Sequence, residues 1–391
     1  MPKQAQLPAL TGLRFVAALL VVVHHVMRHF RPGIVPTDAQ DPVIAVLERL
    51  LYALLYEGGI AVDFFFVLSG FILTYNYVNQ AGDQRVSGPG FYIARIARIY
   101  PAYIFSLFIA AGPFLWQNAQ LSLLGQCRIL FLNLTMTQSW TTSAYTWNDP
   151  AWSLSVEAFF YVSFPFLALY IGRLMPSHFP HALVACWLAI CIAPLLCLAI
   201  GRTGLVSQGI ALNTLFVNPV VRLPEFVFGM LLGRWFVLSG GVRELDRIFT
   251  TGIALIVCVV GLIIVFSYPA LEYVPGLLAP CWGLLLLSAT STRGRTRIWR
   301  ARLVVLLGEA SYSLYLLHWP LWDWLTLLLG RPRVAPGSPV GWLLVLGYLA
   351  LLIIASLGSY RYIEKPARQA IRSFSSTVVG RVGGARTRRA S

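Results

Sequence analysis

Residues 10–25 read LTGLRFVAALLVVVHH, an apolar run with an arginine near one end and two histidines at the other. A bilayer core of about 30 Å needs roughly 20 mostly apolar residues in a helix, and the stretch 10–29 supplies them. The run ends in His24-His25 without a small-residue cleavage site. It is therefore expected to stay as a membrane span and not to be removed as a signal peptide.

Working outward, nine further stretches meet the same criterion, at 57–78, 99–116, 152–172, 183–201, 218–238, 251–268, 274–291, 304–328 and 340–362. An eleventh, 121–136, is short and broken by Gly125, Gln126, Arg128 and Asn133, and reads as interfacial or re-entrant. The composition agrees: 58% of the 391 residues are hydrophobic and 12% charged, against about 25% charged in soluble domains. This excludes a soluble enzyme with one anchor, a disordered chain, a coiled coil and a secreted disulfide scaffold. The expected fold is an all-α polytopic membrane protein of about ten transmembrane helices.

Orientation follows from the Lys and Arg between spans. Of the 30, with the N-terminus inside, 21 fall in inner segments and eight in outer ones, with Arg14 inside the first span. Both termini are expected to face the cytoplasm, and the net charge of +15 is first a topology signal. Scattered arginines argue against nucleic-acid binding. The six cysteines lie mostly in apolar runs without a Cys-x-x-Cys pair, as small core residues do. Residues 1–366 read as one membrane domain, and 367–391 as a basic, disordered cytoplasmic tail. The outer segment 117–151, with Trp140, Tyr145, Trp147, Asn148 and Asp149, reads either as an interfacial aromatic belt or as a lid or acceptor site.

Ionisable groups in a span cost about 2.5–3.5 kcal/mol on insertion scales and mark function by default. Arg14 and His25 are eleven residues apart, hence on one helix face and about 16 Å from each other. They are either interfacial groups or two ends of one polar stripe. His25 and His29 stand four apart, but no third ligand accompanies them, and no metal is expected. Asp63, Phe66 and Gly70 share a face whose small residues let a neighbouring helix approach closely; Asp63 asks for an Arg or His partner. Glu157 is read either as half of a structural pair with Arg222 or His318, or as a functional acid/base beside His25. Arg222 and Glu225 are three apart and can satisfy each other. His318 precedes Trp319-Pro320, and a proline frees a helix carbonyl for such a side chain to bond.

Seven motifs then stand in order along the chain. They are Leu10-Thr11-Gly12-Leu13-Arg14 with His25; the Gly59-to-Gly70 run; Arg95-Ile96-Ala97-Arg98-Ile99-Tyr100-Pro101; and Trp152-Ser153-Leu154 with Glu157 and Phe160-Tyr161. Arg222 with Glu225-Phe226 and Gly229, Ser311-Tyr312-Ser313-Leu314-Tyr315 with His318 and Pro320, and Glu364-Lys365-Pro366 complete the set. Together they resemble the bacterial integral-membrane acyltransferase-3 family, the O-acyltransferases of surface polysaccharides, nodulation factors and macrolides. One departure is Ala94-Arg95 where the family often has Arg-Arg. The resemblance implies transfer of an acyl group, usually acetyl from acetyl-CoA as co-substrate, to a sugar hydroxyl, by a multi-pass protein of the cell inner membrane. It implies His25 as general base, Glu157 or Asp63 orienting or charge-balancing it, and Arg14 on the donor or on developing negative charge. Arg95 and Arg98 are then either CoA-phosphate ligands or ordinary positive-inside residues. Ser69, Trp152 and His318 are expected to touch substrate. The competing class is a transporter or flippase of lipid-linked sugars without acyl chemistry.

Overall fold

The computed structural model describes residues 7–30, 51, 55–56, 58–83, 88–239, 257–258, 260–261, 274–290, 301–330 and 338–374. Among these the chain is helical, without strands. The helices are α1 (Pro8–Phe30), α2 (Ala61–Tyr77), α3 (Gly88–Gln117), α4 (Leu123–Leu134), α5 (Trp152–Gly172) and α6 (Phe179–Arg202). They continue as α7 (Gln208–Val217), α8 (Pro219–Leu238), α9 (Ala279–Thr290), α10 (Arg302–Leu329) and α11 (Pro339–Ser359). Among the described residues seven helical segments are long and apolar enough to cross a membrane: 8–29, 58–77, 88–117, 149–172, 176–202, 208–238 and 339–374. The all-α polytopic reading of the sequence is what the chain adopts.

Several expected spans take a different form. Helix α10 has 28 residues, about 42 Å at 1.5 Å per residue. It is long enough to cross, and its polar residues, among them Glu309, Ser311, Ser313, His318 and Asp323, dilute its hydropathy. Of the described residues in 274–291, Ala279–Thr290 form α9, and 251–268 lies almost wholly outside the described residues. Helix α3 starts at Gly88 and not at 99, so Arg95 and Arg98 are helical residues and not loop residues. The short stretch at 121–136 becomes the 12-residue α4, about 18 Å and too short to span.

The centre of the bundle is set by glycines. A Cβ on Gly70 would run into the Phe226 carbonyl, one on Gly229 into that of Val67, and one on Gly233 into that of Phe71. The backbones of α2 and α8 therefore touch, the small-residue packing expected of the Asp63 helix. Gly308 does the same for α10 against the Thr11 carbonyl of α1. On the outside, α6 exposes Val184, Leu188, Ile192, Leu195 and Leu196, an apolar stripe suited to hydrocarbon.

Within the expected outer segment 117–151, residues 135–151 pair exposed aromatic side chains with buried, hydrogen-bonded ones. Trp140 and Tyr145 are exposed, whereas Trp147 is buried, donating from Nε1 to the Leu107 carbonyl (2.8 Å) and stacking on Phe114 (4.3 Å). Gln138 donates to the Ala151 carbonyl (3.0 Å). This loop is bonded into the bundle and is no free lid.

At the C-terminal end a π-turn, Tyr360–Glu364, links α11 to a further helical stretch ending at Phe374. The wider turn absorbs Pro366, which has no N–H to give. Residues 367–374 of the expected disordered tail are thus helical, and 375–391 lie outside the described residues.

The Gly229 contact makes a direct prediction. Gly229→Leu forces a side chain into the Val67 carbonyl and should cost at least the 1–3 kcal/mol of ordinary overpacking. The expected outcome is a lower Tm in detergent and a loss of monodisperse protein; a wild-type melting curve would contradict this packing.

Candidate active site

Helices α1, α2, α3, α5 and α10 enclose, with the C-terminal helical stretch, a cavity of about 250 Å³. Four arginines line it: Arg14 from α1, Arg95 and Arg98 from α3, and Arg368 from beyond the π-turn. Three acids face it as well, Glu157, Glu309 and Glu364. The acids are satisfied by hydroxyls. Glu157 accepts from Ser69 Oγ (3.0 Å) and from the Tyr161 hydroxyl (2.5 Å). Glu309 accepts from the Tyr360 hydroxyl (2.6 Å), and Glu364 from Ser313 Oγ (3.1 Å).

The arginines are left over. Among the described residues, Arg14, Arg98 and Arg368 form no hydrogen bond and no ion pair within 4.0 Å. Arg95 lies over the rings of Tyr77 (5.7 Å), Phe91 (5.8 Å) and Tyr161 (5.7 Å), with one weak bond to the Tyr77 hydroxyl (3.5 Å). Its buried Nε has no partner. Stacking fixes the plane of the guanidinium without neutralising it. Several cations held in a concavity with their donors free form a receptor for an anion such as phosphate.

The histidines stand apart from this cavity. His25 Nδ1 lies 3.0 Å from His318 Nε2, with the rings stacked at 5.1 Å. His318 is buried, and its Nδ1 lies 2.5 Å from the Tyr315 carbonyl. Tyr315 belongs to both places: it lines the cavity, and its ring lies 5.8 Å from that of His318. Its hydroxyl donates to the Pro150 carbonyl (3.0 Å) and pairs with Ser153 Oγ (2.8 Å), while Phe65, another cavity residue, meets its ring edge-on at 6.2 Å. The single face expected of Arg14 and His25 therefore carries one residue in the arginine cavity and the other beside His318.

Asp63 does not orient His25. It takes an ion pair from Arg222 of α8 and a hydrogen bond from the Gly276 amide (2.8 Å). Arg222 also pairs with Glu225 (3.0 Å), as their spacing suggests, and lies over Phe66 (5.1 Å) and Trp152 (6.0 Å). Glu157 does not orient His25 either, nor does it pair with Arg222 or His318; its partners are Ser69 and Tyr161. Trp152 packs under Arg222 and does not line the cavity, whereas Ser69 does. His24 bonds the Tyr56 carbonyl, and His29 stacks on Trp322 at 4.7 Å. Among the described residues no three His, Cys, Asp or Glu side chains come together as a metal site.

The proline effect expected at His318 takes another route. Pro320 leaves the Leu316 carbonyl without its helical partner, and Asn148 of the docked loop fills it (3.0 Å). The sequence offers Tyr161 and Tyr315 only as members of motifs, with no role attached, and does not single out Arg368. Arg368 has a signal, since it stands four residues after Glu364, one helical turn on, but it falls in the stretch 367–391 that reads as a disordered tail.

With this geometry in view the comparisons with known proteins become readable. Residues 7–361 match the acyltransferase domain of the acyltransferase-3 family, and the chain belongs to that family: it is a multi-pass membrane acyltransferase. It is similar to the acyltransferase MdmB of Streptomyces mycarofaciens, 29% identical over 81% of this chain and 79% of that protein. The exopolysaccharide production protein ExoZ of Rhizobium meliloti is 31% identical over 67% of this chain and 75% of its own. The putative peptidoglycan O-acetyltransferase YrhL of Bacillus subtilis is 27% identical over 95% of this chain, which spans 56% of its length. No solved structure matches.

The Arg222 cluster is open to a stability test. Arg222→Leu leaves two carboxylates in a membrane interior without their cation and should cost about 3–5 kcal/mol. Asp63→Asn removes only the excess negative charge and should be milder. Thermal melts of the two variants in one detergent rank them; equal melting would show that the cluster does not work as an ion pair.

Proposed function

We propose that the protein is an O-acyltransferase that moves an acyl group, acetyl above all, from acyl-CoA to a sugar hydroxyl of a surface or exported glycan. The observation that carries this reading is the cavity whose arginines, among the described residues, make no ion pair with the three acids beside them. CoA brings a diphosphate and a ribose phosphate, and bidentate guanidinium contacts suit those groups. Arg95, Arg98 and Arg368 lie on segments that the Lys and Arg distribution assigns to the cytoplasmic side, where CoA thioesters are made. The likenesses to an exopolysaccharide production protein and to a peptidoglycan O-acetyltransferase support a glycan acceptor. The inner membrane is the site that this donor and acceptor require.

The chemistry is a displacement at the thioester carbonyl. The sugar hydroxyl oxygen forms the ester bond, the carbon–sulfur bond breaks, and CoA leaves with the electron pair. His25, whose Nε2 has no hydrogen bond among the described residues, takes the hydroxyl proton and returns it to the departing sulfur. General-base help of this kind is worth about 10²–10⁴-fold. Arg14, in the cavity on the His25 helix, stabilises negative charge on the donor as the carbonyl is attacked. Tyr315 and Phe65 mark where the acyl end of the donor passes from the arginine cavity towards the histidines.

Two measurements test this. A deletion strain is complemented with wild type, His25→Ala or Glu157→Gln, and its surface glycans are analysed for ester-linked acyl groups by mass spectrometry. Esters should vanish in the deletion and fall at least 100-fold with His25→Ala, in line with the usual value of a general base. Equal ester content in deletion and wild type would refute the enzyme reading and favour transport. In purified protein, Arg98→Gln and Arg368→Gln should each weaken acetyl-CoA binding about 10-fold or more, the loss of one charge-assisted contact. Unchanged affinity in both would remove the cavity as the donor site.

A further inference from the structure

We infer that His318 is a positioning residue that sets the tautomer of His25: it holds the proton on His25 Nδ1 and leaves Nε2 as the basic nitrogen. The inference rests on the reading of His25 as the base and adds what makes one of its two nitrogens able to act.

A chain of ring nitrogens runs from His25 through His318 to a group with a single role. The Tyr315 carbonyl can only accept, so the His318 Nδ1 that lies 2.5 Å from it carries a hydrogen. A neutral imidazole with hydrogen on Nδ1 has its lone pair on Nε2. That nitrogen lies 3.0 Å from His25 Nδ1. Two lone pairs at this distance would repel, so His25 Nδ1 is the donor, and the lone pair of His25 falls on Nε2. The alternative, a His318 imidazolium donating from both nitrogens, would place a cation on a ring that is 2% exposed. The described ion pairs include no carboxylate beside it. Burying an unpaired charge costs several kcal/mol, so the neutral arrangement is the one that stands.

The anchor of this chain is built with care. The Tyr315 hydroxyl bonds Pro150 and Ser153, the Leu316 carbonyl is taken by Asn148, and the Tyr348 hydroxyl donates to the His318 carbonyl. The backbone on both sides of His318 is thus pinned from α5, from the docked loop and from α11. The sequence motif pairs Tyr315 and His318 one helical turn apart, which is what puts a ring nitrogen over a carbonyl of its own helix. In serine hydrolases an aspartate holds the histidine proton in this way; here a second, neutral histidine does so, without a charge in the membrane interior.

Two substitutions separate this role from mere packing. In His318→Gln the amide oxygen stands near the place of His318 Nε2 and can still accept from His25 Nδ1. In His318→Asn the shorter amide stands near the place of Nδ1; it keeps the bond to the Tyr315 carbonyl and offers nothing to His25. Histidine-labelled protein in lipid nanodiscs, with His25 assigned by difference against His25→Gln, reads the tautomer directly through its nitrogen-15 shifts. Wild type and His318→Gln should show His25 protonated on Nδ1. His318→Asn should show a shift to the Nε2–H form that an unconstrained histidine favours, with ester formation in cells down about 100-fold, the low end of a lost general base. His318→Gln should retain ester formation within about 10-fold of wild type. Wild-type His25 protonated on Nε2, or His318→Asn with full activity, would overturn the inference. An inactive His318→Gln that keeps His25 protonated on Nδ1 would overturn it as well, since the tautomer would then not be what His318 contributes. The tautomer is read in the resting protein, so it is decided even if His25→Ala proves active and the base reading fails.

Discussion

A charge inside hydrocarbon must be partnered, and around the cavity the carboxylates are partnered far more completely than the arginines. Asp63 and Glu225 share Arg222, while Glu157, Glu309 and Glu364 are served by serine and tyrosine hydroxyls. Had the acids been satisfied by the cavity arginines, the result would have been a set of structural ion pairs with no affinity left over. Because neutral donors do that work, Arg14, Arg98 and Arg368 keep their donors free in a concave site where the low dielectric strengthens every contact they make. The free guanidinium donors of the cavity come from this separation of roles.

Helix packing supplies the precision. Glycines bring α2 against α8 and α10 against α1 at backbone contact, so side chains on these helices are placed by rigid elements. The two polar places of the site, the arginine cavity and the histidine pair, are joined through Tyr315, whose ring touches one and lines the other.

Much of the architecture is legible along the chain because it depends on local pattern. Hydrophobic length marks most of the spans, the three-residue step marks Arg222 with Glu225, and the Asp63–Phe66–Gly70 face marks where a helix comes close. The partners that cross between helices are not legible in this way. Asp63 finds Arg222 159 residues away, Glu157 finds Ser69 88 residues away, and His25 finds His318 293 residues away. A spacing rule cannot reach over such separations, and two reasonable guesses for the orienter of His25, Glu157 and Asp63, both name acids already engaged elsewhere. Arg95 and Arg98 precede the apolar run that starts at 99, so hydropathy leaves them outside the helix that in fact begins at Gly88, and Arg368 lies in the stretch that reads as a tail but that follows the π-turn as helix.

By itself the sequence determined the membrane class, the family, and the few ionisable residues that deserve a function. These follow from the transfer free energy of side chains and from ordered motifs, both of which are properties of the chain as written. Only the tertiary structure decided which of those residues meet. It gathered four arginines into one cavity, consigned Asp63 to Arg222, and set His318 against His25. Pairing depends on distances between helices, and those are settled by where glycines let backbones touch and where a proline frees a carbonyl for a distant asparagine.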